Sequence, residues 1–274
     1  MDEQTSSLKG LPRLQPRGGL QVMYAAVRAL FLRELQTRFG QYRLGYFWIL
    51  LEPALHIGFM LILFGSISSR TIPGIDYEIF LVNGILPFFM FRQIATQSLN
   101  AISANKGLFS YKPVKPIDAL LARSFLELLL HFTAYLFFSV ILVWFGYHIS
   151  IDAIPQLLGY WSLLFILTTS MGVIFLVVGD ISPEINKFIS TFFFILYLLS
   201  GVIYTIHIIP VEYQEYLLWN PLIHIFELMR HAVAPNYPLV SGVSLGYVMI
   251  WLMGSLLLGL LLYTRFEQRM VKSK

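Results

Sequence analysis
The chain has 274 residues, 57% of them hydrophobic and only 12% charged, with a mean hydropathy of +0.70 and a formal net charge of +4. A soluble domain carries about 25% charge, so this composition excludes an ordinary water-facing fold and points to a core that meets lipid. The chain has no cysteine, which excludes disulfides and thiolate metal sites, and its basic residues are scattered among separate loops, which argues against a nucleic-acid surface.

In chain order, residues 1–19 are polar, with Pro12, Pro16, Gly18 and Gly19, and read as a disordered lead without a cleavable signal peptide. Over 20–45 the pattern turns helical. Tyr24, Val27, Phe31, Leu32, Leu35 and Phe39 share one face, while Arg33, Glu34, Gln36 and Thr37 lie opposite. Such a helix lies along a membrane surface rather than across it. Residues 46–264 then hold six apolar segments: Phe47–Ser69, Ile79–Asn100, Ser124–Tyr147, Pro155–Gly179, Phe188–Ile209 and Ser241–Thr264. Each is near the ~20 residues needed to cross a ~30 Å hydrocarbon core. Segment 210–235 is too long for a turn and too polar for two crossings. Asn220 fits an N-cap and Pro221 the first helical position, so two short helices are expected, dipping into the membrane and returning; a surface-lying hairpin is the alternative. Residues 265–274 form a basic tail. The expectation is an all-α polytopic membrane protein with six transmembrane helices.

Orientation follows from charge. Of 19 Lys and Arg, all but Arg70, Arg92 and Arg230 lie before the first span, in loop 99–123, at Lys187 or in the tail. The intervening loops carry Asp76, Glu78, Asp152, Glu212 and Glu215. Basic loops stay in the cytoplasm, which puts both termini there.

Ionisable groups inside spans are expensive and point to function. Glu52 and His56 are one turn apart on the first span. Arg123, Glu127 and His131 form an i, i+4, i+8 stripe on the third. That stripe reads either as a proton relay or as a salt-bridge ladder within the helix, with Arg123 neutralising Glu127. Arg92 has no acid at helical spacing, so it either pairs with Glu52 or His56 of the neighbouring span or faces a wet path and an anionic cargo. Trp48, Trp144, Tyr147, Tyr160, Trp161 and Trp219 suit interfacial belts or a sugar-stacking channel. No phosphate-binding loop, zinc-protease spacing or nucleophile elbow occurs. Any ATPase therefore belongs to another chain, and an enzyme reading has little chemistry to rest on.

Three stretches carry a family resemblance. The first runs from Arg33-Glu34-Leu35-Gln36-Thr37-Arg38-Phe39-Gly40 through Leu44-Gly45-Tyr46-Phe47-Trp48 to Leu51-Glu52-Pro53. The second is Ala104-Asn105-Lys106 through Tyr111-Lys112-Pro113-Val114-Lys115-Pro116-Ile117-Asp118. The third is Asn220-Pro221-Leu222-Ile223-His224 with Glu227 and Arg230. Together they resemble the permease subunit of type-2 ATP-binding-cassette exporters, and the first two resemble the capsular polysaccharide exporters of Gram-negative bacteria. The resemblance implies a homodimer in the inner membrane bound to two ATPase subunits, with ATP and Mg on those partners and no cofactor in this chain. It also implies a lipid-linked polysaccharide cargo, a periplasmic adaptor or co-polymerase and an outer-membrane channel. Residues 20–39 would be the interface helix, and loop 99–118 a coupling helix. Asn105, Lys106, Tyr111, Lys112, Asp180 and Glu184 would contact the ATPases. Arg38, Tyr42, Arg43, Trp48 and Arg92 would line the substrate path. Asn220, Pro221, His224, Glu227 and Arg230 would belong to periplasmic gate helices. Another polymer such as O-antigen or teichoic acid, small hydrophobic drugs, and proton-coupled transport through Glu52–His56 and Glu127–His131 remain the competing readings. A membrane enzyme acting on lipid-linked sugar would need a convergent acid/base pair at one depth, and none is assembled.

Overall fold
The computed structural model describes residues 18–39, 47–109, 114–182 and 184–272. Residues 1–17 of the expected lead (1–19), and Tyr42, Arg43, Tyr111 and Lys112, lie outside the described residues. Those described fold into α1 (Gly19–Phe39), α2 (Phe47–Thr71), α3 (Tyr77–Leu99), α4 (Pro116–Trp144), α5 (Ile154–Ile181), α6 (Ile185–Leu199), α7 (Val211–Leu217), α8 (Pro221–Val233) and α9 (Leu245–Lys272). The protein is a helical, polytopic membrane protein, and α2, α3, α4, α5 and α9 are long and apolar enough to cross a bilayer.

α3 is the central post. It is buried along most of its length and packs against α2, α4, α5, α6 and α8. The helix runs uninterrupted past Pro87. Near that proline, Asn83 donates to the Ile79 carbonyl at 2.8 Å and accepts from the Tyr135 hydroxyl of α4 at 2.9 Å, so a buried polar pair fixes the α3–α4 seam. Gly179 of α5 lets the Leu99 end of α3 approach: a Cβ there would stand 2.2 Å from the Leu99 carbonyl oxygen. A second apolar cluster joins Leu30 of α1 to Ala101, Ile102 and Phe109 of the following loop, and to α4, α5 and α9.

Several boundaries differ from expectation for physical reasons. α4 begins at Pro116, well before Ser124, because Asp118 accepts the Lys115 backbone N–H at 2.9 Å and Pro116 suits the first turn. The basic tail continues α9 as helix to Lys272, where Lys115 pairs with Glu267 at 3.2 Å. The expected fifth crossing is divided. α6 has 15 residues, ~22 Å of helix, and residues 200–205 leave the helical path with Gly201 at φ 60°. An apolar run alone does not separate helix from a buried irregular segment. Here the irregular backbone is tolerated because Arg230 of α8 and Tyr77 of α3 donate to its carbonyls.

α1 packs through part of the face its apolar spacing suggests, with Val27, Phe31 and Leu35 against the apolar clusters, but that face is shifted toward its charged side. Leu30 is buried, and Arg33 and Glu34 turn toward α4 and the neighbouring loop, whereas Leu20, Tyr24 and Leu32 are exposed. Charge pairing with α4, invisible to periodicity, sets the rotation.

Candidate functional site
Three polar clusters tie the bundle together. The first lies on α2, α3 and α6. Trp48, Glu52 and His56, four residues apart, share a face of α2. Glu52 meets Arg92 of α3 at 3.1 Å, the guanidinium lies 4.5 Å from the Phe89 ring centroid, and the His56 ring bonds the Tyr197 hydroxyl of α6 at 2.6 Å. Of the two roles open to Arg92, pairing with Glu52 is the one present. Both partners are nevertheless open: the Arg92 side chain is 38% exposed and that of Glu52 64%. Arg92 stands seven residues before the Leu99 end of α3, ~10 Å along the axis, inside a helix long enough to cross a bilayer, where an exposed ion pair is costly in lipid. This face must therefore meet protein or water.

The second cluster binds α1 to α4 and to the loop between α3 and α4. Arg123 donates two bonds to Glu34, both 3.0 Å, and a third to the Gln97 carbonyl at 3.2 Å. Arg38 pairs with Glu127, and Arg33 with the Asn105 side-chain oxygen. His131 accompanies Glu127 at 3.6 Å. The expected Arg123–Glu127 ladder within one helix is thus replaced by pairs between helices. The partners share an offset, Glu34 with Arg123 and Arg38 with Glu127, so two successive turns of each helix are matched. Arg38, expected at a substrate mouth, is engaged with the buried Glu127 carboxylate.

The expected coupling helix is a six-residue 3-10 turn, Ser103–Leu108. It presents two sides. Asn105 is buried and donates to the Ala101 carbonyl at 2.8 Å, while Lys106 is exposed. Asn105 therefore holds the turn in place, and Lys106 is the residue offered outward. Glu184, just before α6, is exposed, and Asp180 in the last turn of α5 pairs with Arg269 of α9 at 3.7 Å.

The third cluster surrounds α8. Asn220 caps the helix by accepting the Leu222 N–H at 3.0 Å, and its amide donates to Ser200 at 2.8 Å. His224 donates from Nε2 to the Leu218 carbonyl (2.7 Å) and accepts the Ser244 N–H at Nδ1 (3.0 Å). Burial pushes its imidazole below the usual value, which suits this neutral tautomer. Glu227 and Arg230, both 0% exposed, pair at 3.0 Å. Arg230 also donates to the Gly201 and Val202 carbonyls (2.9 and 3.2 Å), with its guanidinium 3.5 Å from the Phe80 ring centroid. Tyr237 donates to Glu227 at 2.9 Å. α8 is buried along most of its length against α3, α5 and α9, whereas α7 has no buried residue. The two short helices thus differ: α7 is a surface element and α8 an internal one.

Sequence reasoning missed Glu34, Tyr197 and Tyr237 as site residues. Tyr237 follows Pro235 outside any helical period, Tyr197 is one of many aromatics, and Glu34 lies on the polar side of the α1 pattern. Only the Glu34–Arg123 pair had a trace in sequence, as complementary charges recurring at four-residue spacing.

Helices of this length, with ion pairs held among them, define a polytopic membrane protein. The chain matches the ABC-2 type transporter family over residues 25–234 and belongs to that family. It is 45% identical over 257 residues to the polysialic acid transport protein KpsM of Escherichia coli, covering 94% of this chain and 99% of that protein. It is 26% identical to the capsule polysaccharide export inner-membrane protein BexB of Haemophilus influenzae, over 91% of this chain and 94% of that one. A similar likeness, 26% over 252 residues, holds for the capsule polysaccharide export inner-membrane protein CtrC of Neisseria meningitidis.

Proposed function
We propose that this chain is the permease subunit of an ATP-driven exporter moving lipid-linked acidic capsular polysaccharide from cytoplasm to periplasm. Two copies form the path, two separate ATPase subunits bind ATP and Mg, and a periplasmic adaptor and outer-membrane channel continue the route. Both termini lie in the cytoplasm of a cell whose inner membrane holds the protein. The observation that carries this reading is the half-open Arg92–Glu52 pair. An ion pair with this exposure inside spans needs a protein or aqueous neighbour, and a second copy of the chain supplies both. A polyanion entering there exchanges its carboxylates for Glu52 on Arg92, a weak contact of the kind conduction requires. The capsule and polysialic acid names of the relatives favour this cargo over drugs.

On the cytoplasmic side, ATPase closure presses on the Lys106 side of the 3-10 turn and on α1. The pairs Arg33–Asn105, Glu34–Arg123 and Arg38–Glu127 make turn, α1 and α4 one rigid lever. Because Glu127 already holds Arg38, a Glu127–His131 proton relay has less support.

The test is polymer location. In a host lacking this chain, full-length polysaccharide accumulates inside and returns to the surface on complementation. Arg92→Leu, at wild-type protein level, lowers surface polymer at least tenfold; unchanged surface polymer would remove Arg92 from the path. Normal surface polymer in the deletion strain would remove the capsule reading altogether.

A further inference from the structure
We infer that the last turns of α9 brace the two ATPase-facing segments of this chain against each other, with Glu267 and Arg269 as positioning residues for export. The inference rests on the reading of the chain as a permease driven by separate ATPases. α9 is 28 residues long, ~42 Å of helix, and a hydrocarbon core takes up ~30 Å of that. Gly259 brings α9 close to α5: a Cβ there would stand 3.2 Å from the Ser170 carbonyl oxygen. Beyond Thr264 the helix continues and reaches both expected contact segments. Glu267 meets Lys115, just before α4, at 3.2 Å and accepts from the Tyr263 hydroxyl at 3.5 Å. Arg269 meets Asp180, in the last turn of α5, at 3.7 Å.

The order of side chains around the helix makes the brace two-sided. At ~100° per residue, Arg269, Phe266, Met270, Tyr263 and Glu267 follow one another across one side. The two ion pairs thus flank an apolar strip. That strip is held in place: Met270 and Tyr263 are buried in the cluster that contains Leu30 of α1 and Ala101, Ile102 and Phe109 around the 3-10 turn. Thr264, Arg265 and Gln268, on the far side, are exposed. The Lys115–Glu267 pair is open, with side chains 60% and 33% exposed, and pairs of that kind add little to stability. Its use is therefore positional. The segment ending at Lys115 and the segment beginning at Asp180 leave the bundle from different helices, so each alone would yield separately to an ATPase. Joined through α9, they shift as one rigid body.

Complexes of this chain with its ATPase subunits decide the matter. Glu267→Lys and Arg269→Glu are each expected to leave protein level, ATPase co-purification and ATP hydrolysis within about twofold of wild type, while surface polymer falls at least fivefold. Polymer delivered per ATP hydrolysed therefore drops, a ratio that simple loss of folded protein does not change. Lys115→Glu/Glu267→Lys restores the attraction and at least half of export. Wild-type export in both single variants, or an unchanged ratio as level and hydrolysis fall together, would overturn the brace. A second measurement serves where a charge variant fails to fold. The chain has no cysteine, so Lys115→Cys/Glu267→Cys and Asp180→Cys/Arg269→Cys can each be bridged by a short bifunctional thiol reagent. Segments that move together tolerate both bridges, and ATP hydrolysis continues at half its unbridged rate or better. Hydrolysis halted by either bridge would overturn the brace. That readout needs no polymer, so a failure of the capsule reading, seen as normal surface polymer in the deletion strain, is distinct from a failure of the brace.

Discussion

Removing the Arg230 guanidinium leaves the Glu227 carboxylate at 0% exposure without its cation, and leaves the Gly201 and Val202 carbonyls without their donor. Breaking a buried pair from one side costs about 3–5 kcal/mol, more than the pair contributes when intact. Arg230→Met is therefore expected to lower the unfolding midpoint and membrane level sharply, and Glu227→Gln/Arg230→Met to recover part of the loss. A double variant no better than the single one, in thermal unfolding of detergent-purified protein, would mean that the carbonyl contacts dominate. Gly84 tests the same place from the other side. A Cβ at Gly84 would stand 2.7 Å from the Val202 carbonyl oxygen and 2.6 Å from Arg230 Nη2. Backbone does not yield as a flexible side-chain tip does, so Gly84→Ala is expected to destabilise by about 1–3 kcal/mol. An unchanged midpoint would mean that the 200–205 segment shifts freely. These residues close an irregular backbone segment against α3, which is why single atoms matter there.

At the scale of elements, the matched pairs between α1 and α4 predict a charge-reversal rescue. Glu34→Arg places two cations together at Arg123 and is expected to abolish export. Glu34→Arg/Arg123→Glu restores the attraction with its polarity inverted, and export should return to a substantial fraction of wild type. Export absent in the double variant, at normal protein level, would show that the pair's local context and not its attraction matters. The same pairs mark how far sequence reading reaches. Helix identities were legible because apolar runs and caps are local signals: Asn220 and Pro221 start α8 as their chemistry dictates. The Glu227–Arg230 pairing was legible because both lie on one helix face. The rotation of α1 was not, because it depends on Glu34 and Arg38 finding partners 89 residues away. The break after Leu199 was only partly legible. Its local mark is Ser200-Gly201, whose glycine takes φ 60°, and Arg230 of another element satisfies the carbonyls that the break frees.

For the whole molecule, the charge pattern and the packing assign different duties to different sides. α3 is sheltered on nearly all sides, and α4 and α5 turn an apolar groove outward. α2 and α3 present the Glu52–Arg92 ion pair, with Trp48 exposed on α2 and Phe188 and Phe192 exposed on α6. If two copies meet through that last face, residues on it come close across the molecular two-fold, as an isologous interface requires. The chain has no cysteine, so a single introduced thiol reports without background. Trp48→Cys and Phe192→Cys are expected to give oxidant-dependent covalent dimers in native membranes. Val140→Cys in the α4–α5 groove and Leu257→Cys on α9 should stay monomeric. ATP binding by the partner subunits, if it parts the copies to admit a chain, lowers the crosslinking yield at 48 and 192 severalfold. A dimer formed through 140 or 257 instead would move the shared path to the opposite side of the bundle, and would leave Arg92 and Glu52 needing a different neighbour.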